Sequence, residues 1–202
     1  MNIEEIIRAI QKEVGVSADG KAGPKTWEAI YHRIVPKKPP ATPPPILDEK
    51  VDSRSEGVIA TLMPEVKPYT RALIVKAASA GITIKAISGL RTYAEQNALY
   101  AQGRTKPGKK VTNARGGFSN HNFGIAFDIG VFEGSKYIPE SPKYKAIGAI
   151  GMDLGLEWGG NWKSIKDEPH FQLPPKWAEN MTERNMLAEL RSRKESGKPF
   201  YA

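Results

Sequence analysis

Four side chains in two short stretches carry most of the chemistry open to this chain. His121 and Asp128 stand seven positions apart in Ser119-Asn120-His121-Asn122-Phe123-Gly124-Ile125-Ala126-Phe127-Asp128. Asp167 and His170 stand three apart in Asp167-Glu168-Pro169-His170-Phe171. The chain has three histidines and no cysteine. Thiolate metal sites and disulfides are therefore excluded, and any metal must be held by imidazole and carboxylate. Zinc hydrolases use three protein ligands and keep a fourth position for water. The bound water becomes acidic, with a pKa of about 7, and a neighbouring carboxylate carries its proton. Taken singly, a histidine near an aspartate is more often a structural hydrogen bond. Two of the three histidines beside carboxylates shift that weighing toward a metal site. His32, with no acidic cluster beside it, reads as a surface residue.

These residues need elements to bring them together. Residues 123–132 read as a strand with Ala126 and Asp128 on one face and Ile125, Phe127 and Ile129 on the other. His121 then sits at the strand entrance, and a twist or a bend at Gly124 must carry it to the same metal as Asp128. Gly124 and Ala126 keep the surface between them small. His170 through Leu173 reads as a final strand, and Pro169 stiffens its link to Asp167. Upstream, Ser53-Arg54-Ser55-Glu56 reads as a capping box opening a helix toward Leu62. A longer helix follows over 66–80, then an alternating β-branched strand over 82–87. Thr92-Tyr93-Ala94-Glu95 is a second capping box, opening a helix to about Gln102. Residues 103–118, rich in Gly, Lys, Arg and Asn, read as a long mobile loop. A helix over 142–155, a short strand at 156–158 and a terminal helix over 175–195 complete the pattern. The fold class expected is α+β: a small antiparallel sheet carrying the site, flanked by helices.

A small helical module precedes this domain. Ile3, Ile6, Ile7, Ile10 and Val14 follow a helical period. Gly15 ends that helix, and a second short one is expected from Thr26 to Ile34. Residues 36–45 contain six prolines in ten positions, which makes a semi-rigid polyproline spacer. The expected division is a module over 1–35, a linker over 36–47 and a main domain over 48–202. The net charge of +8 suits an anionic partner such as a bacterial wall, or serves solubility alone. The basic residues are dispersed and no nucleic-acid recognition motif occurs, so a nucleic-acid partner is not expected. No apolar run approaches the roughly 18 residues of a membrane span. Met1-Asn2-Ile3-Glu4-Glu5 is acidic where a signal peptide is basic, so the expectation is synthesis in a host cytoplasm and action on the wall after release. A monomer is expected.

Ser-x-His-x-x-Gly-x-Ala-x-Asp at 119–128 and Asp-x-x-His at 167–170 resemble the LD/DD-metallopeptidase family. Ser88-Gly89-Leu90-Arg91-Thr92-Tyr93-Ala94-Glu95-Gln96 is similar to that family's upstream arginine motif. The three motifs span about residues 50–175. The resemblance implies that His121, Asp128 and His170 bind Zn2+ and that Asp167 is the general base and acid. It implies that Arg91 stabilises the oxyanion and that Gln96 and Ser119 line the substrate groove. Glu168 is the rival base, and a surface salt bridge is the rival role for Arg91. Residues 1–35 resemble about half of the helical peptidoglycan-binding module, through Ile10-Gln11, Gly15, Asp19-Gly20, Gly23-Pro24-Lys25-Thr26 and Ala29-Ile30; a helical hairpin that only docks on the main domain is the alternative. The implied function is zinc-dependent hydrolysis of the peptidoglycan stem peptide. L-alanyl-D-glutamate cleavage by a phage or prophage endolysin fits the aspartate at 167 better. A D-Ala-D-Ala carboxypeptidase or dipeptidase is the first alternative, and a non-catalytic metal-containing wall-binding protein is an alternative of another class.

Overall fold

A computed structural model describes residues 2–23, 25–27, 29–30, 50–163 and 166–202. The chain divides into two compact units, Met1–Ala41 and Thr42–Ala202. In the first unit, α1 spans Ile3–Glu13, and Asn2 with Glu5 forms a capping box at its start. The buried residue of α1 is Gln11, at 1% exposure. Its amide nitrogen reaches Asp19 Oδ1, the Lys21 carbonyl and Thr26 Oγ1, while its oxygen accepts the Gly20 N–H. One glutamine thus satisfies the turn that leads away from the helix. Residues 25–27 and 29–30 are helical. The rest of the expected second helix, His32 and the proline-rich linker lie outside the described residues.

The second unit begins with α2, Ser53–Ala60. Its cap is Asp52, whose carboxylate accepts the Ser55 N–H, and not Ser53 as the sequence pattern suggested. The expected partner at the third helical position fails for a physical reason: the Glu56 carboxylate forms a two-point ion pair with Arg71 and accepts the Val51 N–H. α3 spans Lys67–Ser79, β1 Ile84–Ser88, and α4 Tyr93–Ala101. The Thr92–Glu95 capping box is present at the start of α4. Then come β2 (Ala126–Glu133), β3 (Lys136–Ile138), α5 (Lys143–Asp153), β4 (Glu157–Trp158), β5 (His170–Gln172) and α6 (Glu183–Ser196). The terminal helix starts later than expected, because Thr182 caps it and a 3-10 turn occupies Lys176–Ala178.

The sheet is antiparallel with the order β1-β2-β5-β4, and β3 pairs with the far end of β2. Strand alternation sends Ile84, Ala86, Phe127, Ile129, Val131 and Phe171 into one core with Leu73 and Ala77 of α3 and Tyr144 and Ile147 of α5. Burial of each Ile, Val, Leu or Phe among them contributes roughly 1.5–3 kcal/mol relative to an exposed side chain. The same alternation turns Asp128, His170 and Gln172 to the opposite face. Around the turn that leads into β2, α6 packs Met186, Leu187 and Leu190 against Phe123 and Ile125 in a second cluster. The sheet therefore separates a helix-covered core from the side on which the chemistry sits.

Candidate metal centre

Two backbone devices bring the site together. In the first, β2 and β5 pair so that Asp128 lies directly opposite His170. Directly opposed residues present their side chains on the same face about 5 Å apart. The second is a 3-10 turn, Asn120–Phe123, that precedes β2 and ends at Gly124 with φ +67°. This left-handed residue supplies the expected bend, and a β-carbon there would lie 3.3 Å from the Met63 nitrogen. His121 is on the turn and not in a strand. The segment after β1 clamps it twice: the Gly89 carbonyl accepts from His121 Nδ1 at 2.8 Å, and the Arg91 N–H donates to the His121 carbonyl at 3.0 Å.

Three donor atoms converge. His121 Nε2, His170 Nδ1 and Asp128 Oδ1 form a triangle with every edge 3.2 Å. Zinc with tetrahedral bonds of about 2.0–2.1 Å has ligand atoms about 3.3–3.4 Å apart, so the triangle fits three corners of such a site. The tautomers fit too. Nδ1 of His121 is occupied by the Gly89 carbonyl. Nε2 of His170 is occupied by Gln172 Oε1 at 2.9 Å. Each ring thus turns a free lone pair to the centre, as a neutral imidazole ligand must. His121, Asp128 and His170 form a group able to hold a metal ion, and both histidines are buried.

The electrostatics are those of a buried carboxylate held between two imidazoles and a guanidinium. Burial pushes the Asp128 carboxyl up, but the contacts with His121 and His170 overcome it and hold the group well below the usual carboxylate range. Burial pushes the His170 ring down, and the hydrogen bond and charge of Asp128 more than reverse that. Arg91 Nη2 lies 3.5 Å from Asp128 Oδ2, with further bonds to Ser88 Oγ and Gln96 Oε1. The guanidinium therefore faces the centre and is not a surface salt bridge. Asp167 is half-buried; burial first, then the charge of Asp128, raise its carboxyl above the usual value. A cleft of about 480 Å³ runs beside Asp167 between Pro139–Pro142 and Lys166–Pro169, and one of about 690 Å³ runs beside Arg91 along α2 and α4.

The remaining sequence candidates are placed as follows. Gln96 is fully buried: its oxygen accepts from Arg91 and its nitrogen donates to Ala114 O and Thr112 Oγ1. Any influence on a substrate runs through Arg91. Ser119 is half-buried at the start of the 3-10 turn, where its carbonyl accepts the Asn122 N–H. Glu168 gives its backbone carbonyl to Trp158 Nε1. Residues 103–118 form little regular structure, yet they are tied down. Arg104 bonds Tyr100 O, Thr112 O and Asn113 Oδ1, and the Gly116 N–H donates to Asn97 Oδ1.

Sequence reading missed several parts of the site. Trp162 sits with its ring centroid 4.8 Å from that of His170. Gly159 packs so closely under Asp167 and His170 that a β-carbon would meet the Asp167 carbonyl oxygen at 2.5 Å. Gln172 meets the outer nitrogen of His170 and is bonded in turn to Asn120 and Glu157, with Glu183 bonded to Asn120. Only Gln172, two residues from His170 on one face of a strand, carried a usable signal.

Together, the antiparallel sheet and the His-Asp-His centre with a carboxylate and a guanidinium beside it define a metal-dependent hydrolase. A family model described as D-alanyl-D-alanine carboxypeptidase matches residues 112–173. CwlK of Bacillus subtilis, a peptidoglycan L-alanyl-D-glutamate endopeptidase, is 40% identical over 128 residues, which cover 58% of this chain and 77% of that protein. An L-alanyl-D-glutamate peptidase of a Listeria phage is 29% identical over 124 residues, covering 60% of this chain and 41% of that protein. Among solved structures, the L-Ala D-Glu endopeptidase ChiX of Serratia marcescens shares 25% identity at a TM-score of 0.48, over 63% of this chain and 92% of that one. The D,D-pentapeptidase VanY of a VanB-type vancomycin-resistance cassette, a variant in complex with Zn(II), shares 17% at 0.45, over 64% and 83%. The chain belongs to the LD/DD-metallopeptidase family and is a zinc metallopeptidase.

Proposed function

We propose that this enzyme cleaves the peptide stem of peptidoglycan between L-alanine and D-glutamate. The observation that carries the reading is the 3.2 Å triangle of His121, Asp128 and His170 with Arg91 beside it, in a chain 40% identical to an endopeptidase of that bond. The chemistry a zinc ion supplies here is acidification of a water and polarisation of the scissile carbonyl.

The chain's own groups do the rest. Asp167 accepts the proton of the attacking water and returns it to the departing amine. Arg91 faces the carbonyl oxygen and stabilises its growing charge, and Gln96 holds the guanidinium through its 2.8 Å bond. Ser119, at the rim of the turn, touches the peptide. The clefts beside Asp167 and beside Arg91 accept the peptide stem.

The similarity to the phage peptidase supports an endolysin role. The first unit, with its buried Gln11 turn, delivers the catalytic unit to the wall. No helix among the described residues is long and apolar enough to cross a membrane. Digestion of purified peptidoglycan tests the bond assignment. New N-terminal D-glutamate is expected. Release of D-alanine alone overturns it and supports D-Ala-D-Ala cleavage, which the description of the family model favours. Asp167→Asn is expected to retain zinc and lose hydrolysis by orders of magnitude; unchanged hydrolysis removes Asp167 as the base.

A further inference from the structure

Behind His170 lies a chain of amides that ends in two carboxylates. Gln172 Oε1 meets His170 Nε2 at 2.9 Å and accepts from Asn120 Nδ2 at 2.6 Å. Gln172 Nε2 donates to Glu157 Oε2 at 2.7 Å. Asn120 Nδ2 also donates to Glu183 Oε1 at 3.0 Å. Glu157 and Glu183 are at the exposed rim, whereas Gln172, Asn120 and His170 are buried.

Only one orientation of each amide satisfies these contacts. An ionised carboxylate can only accept, so Glu157 draws the NH2 end of Gln172 toward itself. Its oxygen is left facing His170. Rotating that amide would set oxygen against carboxylate at one end and NH2 against the Asn120 NH2 at the other. Glu183 orients Asn120 by the same rule. The imidazole therefore meets a pure acceptor at Nε2 and must donate there, which leaves the lone pair on Nδ1.

A competing arrangement exists. Asp128 Oδ1 lies 3.2 Å from His170 Nδ1 and would accept a proton carried there. A carboxylate is the stronger acceptor of the two. Without Gln172 the metal-free ring would favour the Nδ1–H form, and its lone pair would point away from the centre.

We propose that Gln172 is a positioning residue that selects the ligating tautomer of His170, with Glu157 and Glu183 acting through it to hold its amide in the accepting orientation. The proposal rests on the reading of His170 Nδ1 as a zinc ligand. It concerns a residue 52 positions from Asn120 in sequence, at the end of the strand that bears the ligand. Groups in contact with a ligating histidine typically tune metal affinity by about 10–100-fold when removed.

The test compares the wild type, Gln172→Met and the double variant Gln172→Glu/Glu157→Gln. The double variant exchanges acceptor and donor, so His170 again meets an acceptor held by an amide. Zinc affinity is read by chelator competition, and the ring tautomer of His170 by 15N shifts in the metal-free protein at a pH where the ring is neutral. Expected are an Nε2–H ring in the wild type, a roughly 10–100-fold weaker zinc affinity with Nδ1–H gained in Gln172→Met, and recovery of both in the double variant. Wild-type affinity in Gln172→Met overturns the proposal, as does a loss that the double variant leaves unrestored. If Gln172→Met fails to fold, the wild-type spectrum decides: an Nδ1–H ring overturns it. Failure of the wild type to bind zinc would sink the ligand reading instead, a separate outcome seen before any variant is made.

Discussion

Gly159→Ala is the sharpest test of how tightly the catalytic carboxylate is held. Gly159 starts a 3-10 turn directly beneath the Asp167–His170 segment. Its carbonyl accepts the Asp167 N–H at 3.1 Å. A β-carbon placed there meets the Asp167 carbonyl oxygen at 2.5 Å and His170 Cβ at 3.0 Å. Real β-carbons essentially never approach closer than 3.0 Å, so the backbone at Asp167 must move by about 0.5 Å. The obstacle is main chain, and no rotamer change relieves it. A misplacement of about 1 Å in a catalytic constellation can cost about 100-fold, so a loss on the order of tenfold in kcat is expected. Cleavage of a soluble stem peptide reads this, with zinc content and Tm measured alongside. The variant should retain most of its zinc, because His121 and Asp128 are untouched. Wild-type kcat with intact zinc would refute the claim that the spacing beneath Asp167 matters to the chemistry. Loss of zinc in proportion to activity would show that His170, not Asp167, is what moved.

Other outcomes follow from the same structure. Gly57→Ala, at a helical position where a β-carbon meets nothing within 4 Å, should stabilise the protein by about 0.5–1 kcal/mol in urea unfolding. Leu190→Ala empties a fully buried position in the cluster behind the His121 turn and should cost about 2–5 kcal/mol by the same measurement. Glu56→Gln breaks the two-point ion pair with Arg71. That contact first, against burial and with help from the Val51 N–H, lowers the Glu56 pKa. The stabilisation is therefore present above the ordinary value of 4.5 and lost as pH falls through the lower folded value. The stability gap between wild type and Glu56→Gln should be full at pH 7 and close in acid. Zinc saturation to roughly a hundred times Kd should add about 2.7 kcal/mol to folding stability, read as a higher Tm; an unchanged Tm in the presence of zinc would contradict a folded-state site.

Much of this site could be read before any coordinates. His121, Asp128 and His170 stand out by residue type and spacing, because two of the three histidines of a cysteine-free chain lie beside carboxylates, whereas Arg91 and the role of Asp167 came from the family resemblance. The Thr92–Glu95 cap and the bend at Gly124 are also local, as each depends on residues within a turn of one another. Local rules erred where a distant partner competed. The Ser53 cap was displaced by Asp52 because Glu56 bonds Arg71, fifteen residues away. The long loop at 103–118 looked free, but Gln96 and Asn97 of α4 hold it. Gln96 itself proved to be a buried brace for Arg91 and not a groove residue open to solvent.

The sequence alone determined the chemical inventory: which residues could bind a metal, which could move a proton, and which strands and helices could carry them. Only the tertiary structure decided the arrangement. The β2–β5 register opposes Asp128 to His170, the Gly89 carbonyl and Gln172 assign the two ring tautomers, and the closeness of Gly159 to Asp167 sets the base. The reason is physical. Hydrogen-bond direction and contact distance depend on where separate segments meet, and that meeting is fixed by the packing of the whole sheet, on which no short stretch of residues has any information.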